Sequence, residues 1–435
     1  MDPQSTDVSP LSEAMGARLS AARAAARGLR GLDVATKRAV LHEAARRLAG
    51  QGGEVLAGNA ADLAAHDAAP GGGRGPAFRD RLLLDATRLA RMGEGLRQVA
   101  AMDDPVGEVV EARALPDGLR LRRVRSPLGV ILLIFESRPE VAVEAFSLAF
   151  MAGNALVLRG GRESMNTTGA LYRLLGEALL AHGVQGGALL GITDPDRGLT
   201  RALLADDRSI DVVVPRGGPG LIDFVVEHAR MPIIKNDRGL CHVYVHADAD
   251  LDMAVRIVDN AKTQRPGVCN AMETLLVHRS VAARLLPALH DRISGPARAT
   301  PVRWFADAEA RAALAGRPHV APATAGSFDT EYLDLALSAR VVPDLPAAID
   351  HIERHGSRHS ECIVTASPEA ARRFQQEVDA ACVYWNASTR FTDGFSLGLG
   401  GELGISTQKL HVRGPVGLQA LTSVRWVFDG EGQCR

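Results

Sequence analysis

The chain has 435 residues, 46% of them apolar, and a formal net charge of −1. That length suits two or three domains with cores that need no staples. The near-neutral balance speaks against a polyanion-binding surface and so against a nucleic-acid partner, and no apolar run reaches the roughly 18 residues of a membrane span.

The first 28 residues lack an apolar signal core. Their Ala/Arg richness is that of a transit peptide, but Asp2, Asp7 and Glu13 favour an amphipathic surface helix. Helical patterns continue to Met102, broken by a Gly-rich loop from Pro70 to Pro76. Arg113 to Arg125 is short, basic and rich in turn signals, which predicts a β-hairpin arm. Val130 to Phe135 is a continuous apolar run, as in a strand buried on both faces. A helix over Val141 to Met151 and a strand over Ala155 to Leu158 follow. Ser164 is placed to cap a helix running to about His182. A strand over Ile210 to Val214 leads through Arg216-Gly217-Gly218 into a helix from about Leu221 to Arg230. This alternation predicts an α/β doubly wound domain with parallel strands. It restarts after about Gly239, which predicts a second α/β unit.

That second unit contains the run RPGVCNAMETLLVH, Arg265 to His278. The helix before it opens at Asp250, a suitable N-cap, with Leu251, Ala254, Val255 and Val258 at helical spacing. Pro266-Gly267 end the helix, and Thr274 to Val277 read as a strand. Cys269 therefore sits in a tight loop between two rigid elements. Such a thiol is either a small buried hydrophobe or a positioned nucleophile with donors around an acyl oxygen; spacing alone leaves both open. Cys241, Cys362 and Cys382 lie in apolar runs and read as core, and Cys434 lies in the tail. Five cysteines without a C-x-x-C pair predict a reducing, cytoplasmic setting, without disulfides. The scattered histidines offer no ligand pair on one helical face, so no metal centre is expected. There is no GxGxxG. The stretch Arg216-Gly217-Gly218-Pro219-Gly220, after a strand and before a helix, is the phosphate-handling candidate.

Five blocks carry a wider resemblance: VRSPLGVILLIFESRPEV from Val124, VVVPRGG from Val212, KNDRGLCHVYV from Lys235, NASTRFTDGF from Asn386, and GLGGELGISTQKLHVRGPVGLQAL from Gly398. They resemble the gamma-glutamyl phosphate reductases, or glutamate-5-semialdehyde dehydrogenases, of the aldehyde dehydrogenase superfamily. The last block is specific to that reductase. The resemblance implies an aldehyde dehydrogenase-like α/β fold in three parts. Residues 1–104 and 126–238 would form a Rossmann-like NADP-binding domain, and residues 239–390 a catalytic α/β domain. Residues 105–125 and 410–435 would form a small β oligomerisation flap, with 391–409 facing substrate and cofactor.

It also implies roles. Cys269 is the nucleophile, its own N–H an oxyanion donor, with Ser137 and Asn270 near the oxyanion. Arg159 and Arg162 stand where the superfamily carries a lysine and an acid that disfavours a 2′-phosphate; two guanidinium groups suit that phosphate, so NADP(H) is expected. Gly217 and Gly218 would approach the pyrophosphate, and Glu331 the nicotinamide ribose. The substrate, L-glutamyl 5-phosphate, needs cations at both ends. Arg138, Lys409 and Arg413 are the candidates, with Ser406 and Thr407 as hydroxyl donors and Asn386, Thr389 and Arg390 lining the same cleft. A homo-oligomer and a separate glutamate 5-kinase partner are implied too. The chain departs from the pattern in places. The water-activating glutamate of general aldehyde dehydrogenases should fall near Lys235 to Gly239, which holds no Glu, although Asp237 is a conceivable substitute. The reductases usually carry His at Asn236 and Asp at His246, and EARPN where Glu136 to Glu140 read ESRPE. A hydrolytic dehydrogenase and a catalytically silent binding protein are the competing readings.

Overall fold

The computed structural model describes residues 11–69, 75–235 and 238–435. Most of the Gly-rich loop, the first ten residues, Asn236 and Asp237 lie outside them, and with them the expectations placed there. The chain divides into two compact units, residues 1–235 with 398–404 and 415–435, and residues 236–397 with 405–414.

The first unit is built on a four-stranded parallel sheet in the order Leu189–Ile192, Ala155–Arg159, Val130–Phe135, Val212–Arg216. All six residues of Val130–Phe135 are buried, as a central parallel strand requires. Helix Glu140–Met151 is buried at ten of its twelve positions, which matches its nearly all-round apolar surface. Two local expectations are corrected. Ser164 precedes helix Met165–Ala181, but its hydroxyl donates to the Gly161 carbonyl at 3.1 Å. The cap comes from Asp62, on helix Val34–Asp67, whose carboxylate accepts the N–H groups of Asn166 and Thr167 at 3.2 and 2.8 Å. The helix expected from Leu221 begins at Pro219, because a first-turn proline forfeits only an N–H that has no helical partner. Asn154 ties distant segments together, accepting from Gly129 N at 2.9 Å and donating to Leu421 O at 3.0 Å.

The predicted arm is an antiparallel hairpin, Val109–Ala114 and Arg120–Pro127, joined by Thr422–Asp429 into a three-stranded sheet. Val424, Trp426 and Phe428 recur at every second position of that last strand and are exposed.

The second unit holds a seven-stranded parallel sheet in the order Val320–Pro322, Arg303–Ala306, Ala336–Val342, Met272–His278, Cys241–Val245, Ser360–Val364, Cys382–Trp385. Its two faces carry separate cores. Val243, Val245, Leu275 and Val277 pack with helices Leu251–Thr263 and Arg279–Ser294. Tyr244, Leu276 and Ile363, one residue out of phase, pack with helices Leu345–His355 and Pro368–Glu377. That phase shift is the two-residue period of a pleated strand. Asp250 caps the first of these helices by accepting Met253 N at 2.9 Å. Cys241 and Cys362 are buried as expected, whereas Cys382 is half-buried because its strand is at the sheet edge. Among the described residues no helix is long and apolar enough to cross a membrane, and no group of three or more His, Cys, Asp or Glu is arranged to hold a metal.

Candidate active site

In a parallel sheet every loop that enters a strand arrives at the same edge. Residues 238–240, 264–271, 357–359 and 378–381 all lead into strands of the second unit and gather at its amino edge. Cys269 is half-buried there. Its backbone is held from one side by Gly239, where an added Cβ would lie 1.7 Å from the Cys269 carbonyl oxygen. Gly239 N–H donates to Glu331 Oε1 at 2.8 Å, so the glutamate expected at a ribose also fixes the segment under the thiol. The Cys241 thiol donates to the Cys269 carbonyl at 3.2 Å. Because C=O and N–H oppose each other in a trans peptide, the Asn270 N–H points away from Gly239.

Asn270 is buried, and its side chain is committed. It donates to Thr392 O at 2.7 Å and accepts from Arg390, while its carbonyl accepts from Thr389 Oγ1 at 2.7 Å. Arg390 also donates to Gln264 Oε1 at 2.9 Å, and burial pulls its pKa down. Asn270, Thr389 and Arg390 thus lace the thiol loop to segment 389–392. Beside it, Cys241 approaches His359 Nδ1 at 3.6 Å, and contacts run on from His359 through Ser360 and Thr392 to the Tyr384 hydroxyl at 2.9, 2.7 and 2.7 Å. Burial pushes His359 down to about 4, so it is neutral. Lys262 and Glu273 flank the loop as a buried pair 2.7 Å apart. Burial lifts Glu273 to about 7 against the pull of Lys262.

The other expected substrate residues of this unit fall in two groups. Asn386 holds Thr365 through N–H and C=O at 3.0 and 2.9 Å, in a left-handed conformation (φ 56°), and Ser406 is buried and bonded to Gln408, with Thr407 buried beside it. Lys409 and Arg413 both reach Asp379, at 2.8 and 2.7 Å. His246, hydrogen-bonded to the Tyr244 hydroxyl at 2.8 Å, ends its strand at the opposite, carboxyl edge, so that departure lies far from the thiol.

In the first unit the expected cofactor residues gather where the strand order reverses about Val130–Phe135, at the carboxyl ends of the strands, which is where doubly wound sheets hold nucleotides. Gly218 N–H donates to Glu136 Oε1 at 2.8 Å, and an added Cβ on Gly217 would lie 2.7 Å from the same side chain. The start of helix Pro219–His228 therefore holds the chain's own carboxylate, so a pyrophosphate would reach that N–H only by displacing Glu136. Ser137 is buried and donates to Glu163 Oε2 at 3.1 Å, close under Gly161. Arg138 lies in the turn that starts helix Glu140–Met151, its N–H donating to Glu136 O at 2.6 Å. Arg159 donates to Asp196 O at 2.9 Å, but its Nε is buried with no hydrogen-bond partner among the described residues. Arg162 is largely exposed, 3.7 Å from Glu163. An exposed guanidinium and an orphaned buried donor beside a glycine turn fit a phosphorylated nucleotide. Sequence reasoning passed over Gly239 and Cys241 as partners of Cys269, gave Glu136 no role of its own, and passed over Glu163 and Asp379 altogether. Gly239 and Glu136 lay inside quoted blocks, but only their distant partners reveal their work.

The aldehyde dehydrogenase family model matches residues 11–301. A gamma-glutamyl phosphate reductase of Moorella thermoacetica is 49% identical over 414 residues, 95% of this chain and 97% of that one. One from Agathobacter rectalis is 46% identical over 93% of this chain and 95% of its own. The crystal structure of gamma-glutamyl phosphate reductase from Thermotoga maritima superposes with a TM-score of 0.91 at 39% identity, covering 97% of this chain and 99% of that one.

Proposed function

Because the chain belongs to the gamma-glutamyl phosphate reductases of the aldehyde dehydrogenase family, we propose that it reduces L-glutamyl 5-phosphate to L-glutamate 5-semialdehyde and phosphate with NADPH, the second step of proline biosynthesis from glutamate. Membership makes it an aldehyde-acting oxidoreductase that uses a nicotinamide cofactor. The observation that carries the finer reading is the half-buried Cys269 on a loop whose backbone is clamped by Gly239, Cys241 and Asn270.

The Cys269 thiolate attacks the acyl carbon. A C–S bond forms, the C–O bond to phosphate breaks, and phosphate leaves with the electron pair. When bound, the reduced nicotinamide would supply the hydride for taking the thioester to the aldehyde, which releases the Cys269 thiolate. Arg162, the orphaned Nε of Arg159 and the Gly218 N–H are the groups that would hold its phosphates. Negative charge builds on the acyl oxygen in both halves of the reaction. Backbone N–H groups of Cys269 and Asn270 are the donors for it, the clamped carbonyl of Cys269 setting the direction of the Asn270 N–H that shares its peptide plane. Asn270 and Arg390 act by holding the loop. The run Lys235 to Gly239 contains no glutamate, which supports phosphate rather than water as the acceptor in reverse. The exposed Val424, Trp426 and Phe428 support the reading of the three-stranded sheet as an oligomerisation flap. A separate glutamate 5-kinase is the partner that the labile acyl phosphate calls for.

The test runs in reverse: NADP+ reduction with pyrroline-5-carboxylate in equilibrium with the semialdehyde, with and without phosphate, on wild type and Cys269→Ala. Strong phosphate dependence, abolished in the variant, is expected. Turnover without phosphate refutes the reductase in favour of a hydrolytic dehydrogenase. In the same assay Arg162→Ala raises the KM for NADP+ about ten-fold without moving that for NAD+; equal wild-type use of the two cofactors sinks the NADP assignment.

A further inference from the structure

A second charged group shares the amino edge of the sheet with Cys269. Asp379, in the loop entering strand Cys382–Trp385, accepts from Lys409 Nζ at 2.8 Å and Arg413 Nη2 at 2.7 Å, and Arg358 Nε lies 3.8 Å away. Lys409 is 63% exposed, and Arg413 Nε is buried with no hydrogen-bond partner among the described residues. The group is therefore reachable, with donor capacity to spare.

We propose that this cluster is the subsite for the α-amino acid head of the substrate, with Asp379 taking the α-ammonium and Lys409 with Arg413 the α-carboxylate. This rests on the reductase reading and goes further by fixing which end of the substrate lies where. Charge decides the end. A doubly negative acyl phosphate placed on the two cations would meet the Asp379 carboxylate at close range, whereas a head group with one ammonium and one carboxylate finds an opposite charge for each. Asp379 Oδ1 accepts from Arg413 and Oδ2 from Lys409, with Arg358 beyond hydrogen-bond reach of Oδ2 at 3.8 Å, so each oxygen keeps a lone pair for a further donor. The hydrogen bonds from Lys409 and Arg413 hold Asp379 at about 2, so it stays ionised wherever the enzyme works.

Spacing agrees. Ser357 Oγ, next to Arg358, accepts Leu240 N at 2.9 Å, and Leu240 follows the Gly239 that touches Cys269. The Cys269 loop enters strand Met272–His278, three places from Cys382–Trp385, but the Cys269 backbone lies against Gly239, which leads into Cys241–Val245, two places from Cys382–Trp385 or about 10 Å, a gap that a five-carbon glutamyl chain and a cysteine side chain bridge together. With its head group there, the substrate presents its acyl carbon toward the thiol.

The test compares L-glutamate 5-semialdehyde with 5-oxopentanoate, which lacks only the amino group, in phosphate-dependent NADP+ reduction. Wild type should prefer the amino substrate in kcat/KM by about ten- to a hundred-fold. Asp379→Asn should bring that ratio close to one. Lys409→Gln should lower kcat/KM for both alike, since both carry the carboxylate, and keep the ratio. A wild-type ratio of one, an Asp379→Asn enzyme that keeps the wild-type ratio, or unchanged kinetics in Lys409→Gln overturns the subsite while the reductase stands. A wild type inactive on both substrates overturns the reductase reading and the subsite with it.

Discussion

Gly239→Ala isolates the contact that sets the nucleophile's backbone. The new Cβ would lie 1.7 Å from the Cys269 carbonyl oxygen and 2.6 Å from its Cα, where real contacts do not fall under 3.0 Å. The obstacle is backbone and no side chain can rotate away, so the two segments must part by more than about 1 Å, a misplacement that costs on the order of a hundred-fold in rate. The Gly239 N–H moves with it and loses its 2.8 Å bond to Glu331. Overpacking of this kind costs about 1–3 kcal/mol of stability, which a unit with two cores on one sheet withstands. The expected outcome is a folded enzyme whose kcat in the phosphate-dependent assay falls about a hundred-fold, with a changed rate of Cys269 alkylation by iodoacetamide. Gly53→Ala, on an exposed helix face with nothing within 4 Å of the added carbon, is the matched control and keeps full activity. A Gly239→Ala enzyme with wild-type kcat and alkylation rate refutes the clamp.

Lys262→Met leaves the buried Glu273 without its partner and should cost about 3–5 kcal/mol in urea denaturation at pH 8. The loss should shrink by pH 5, because Glu273, already lifted to about 7 by burial, then takes up a proton; a pH-independent loss refutes the assignment. His359 binds its proton more weakly folded, at about 4, than unfolded, at 6.5. Its contribution is therefore complete above pH 6.5 and is lost as pH falls toward 4, by about 3 kcal/mol. His359→Asn should flatten the stability profile between those values, and a profile parallel to wild type counts against it.

Elements whose signals are local were legible in the sequence. Val130–Phe135 is apolar at every position, Asp250 is followed at once by a helical apolar period, and the hairpin carries its own turn residues. Cys269 was placed in its loop for the same reason. Side-chain roles were harder wherever the partner is remote. Ser164 looks like a cap, yet Asp62, a hundred residues earlier, does the capping. Gly217 looks like a phosphate turn, yet what crowds it is Glu136. Asn270, Asn386 and Arg390 were expected at the site from the family resemblance alone, and only the fold shows that their side chains also hold the loops they sit in.

By itself, then, the sequence determined the two alternating α/β units, the thiol loop and the glycine turn, all of which follow from periodicity, caps and breakers within a dozen neighbours. Tertiary structure alone decided which groups meet. Parallel strands carry loops from residues 239, 269, 357 and 379 to one edge, so that Gly239 presses on Cys269 and Asp379 gathers Lys409 and Arg413. No local pattern encodes those pairings, because they depend on strand order, and strand order is settled by burying both faces of the sheet at once.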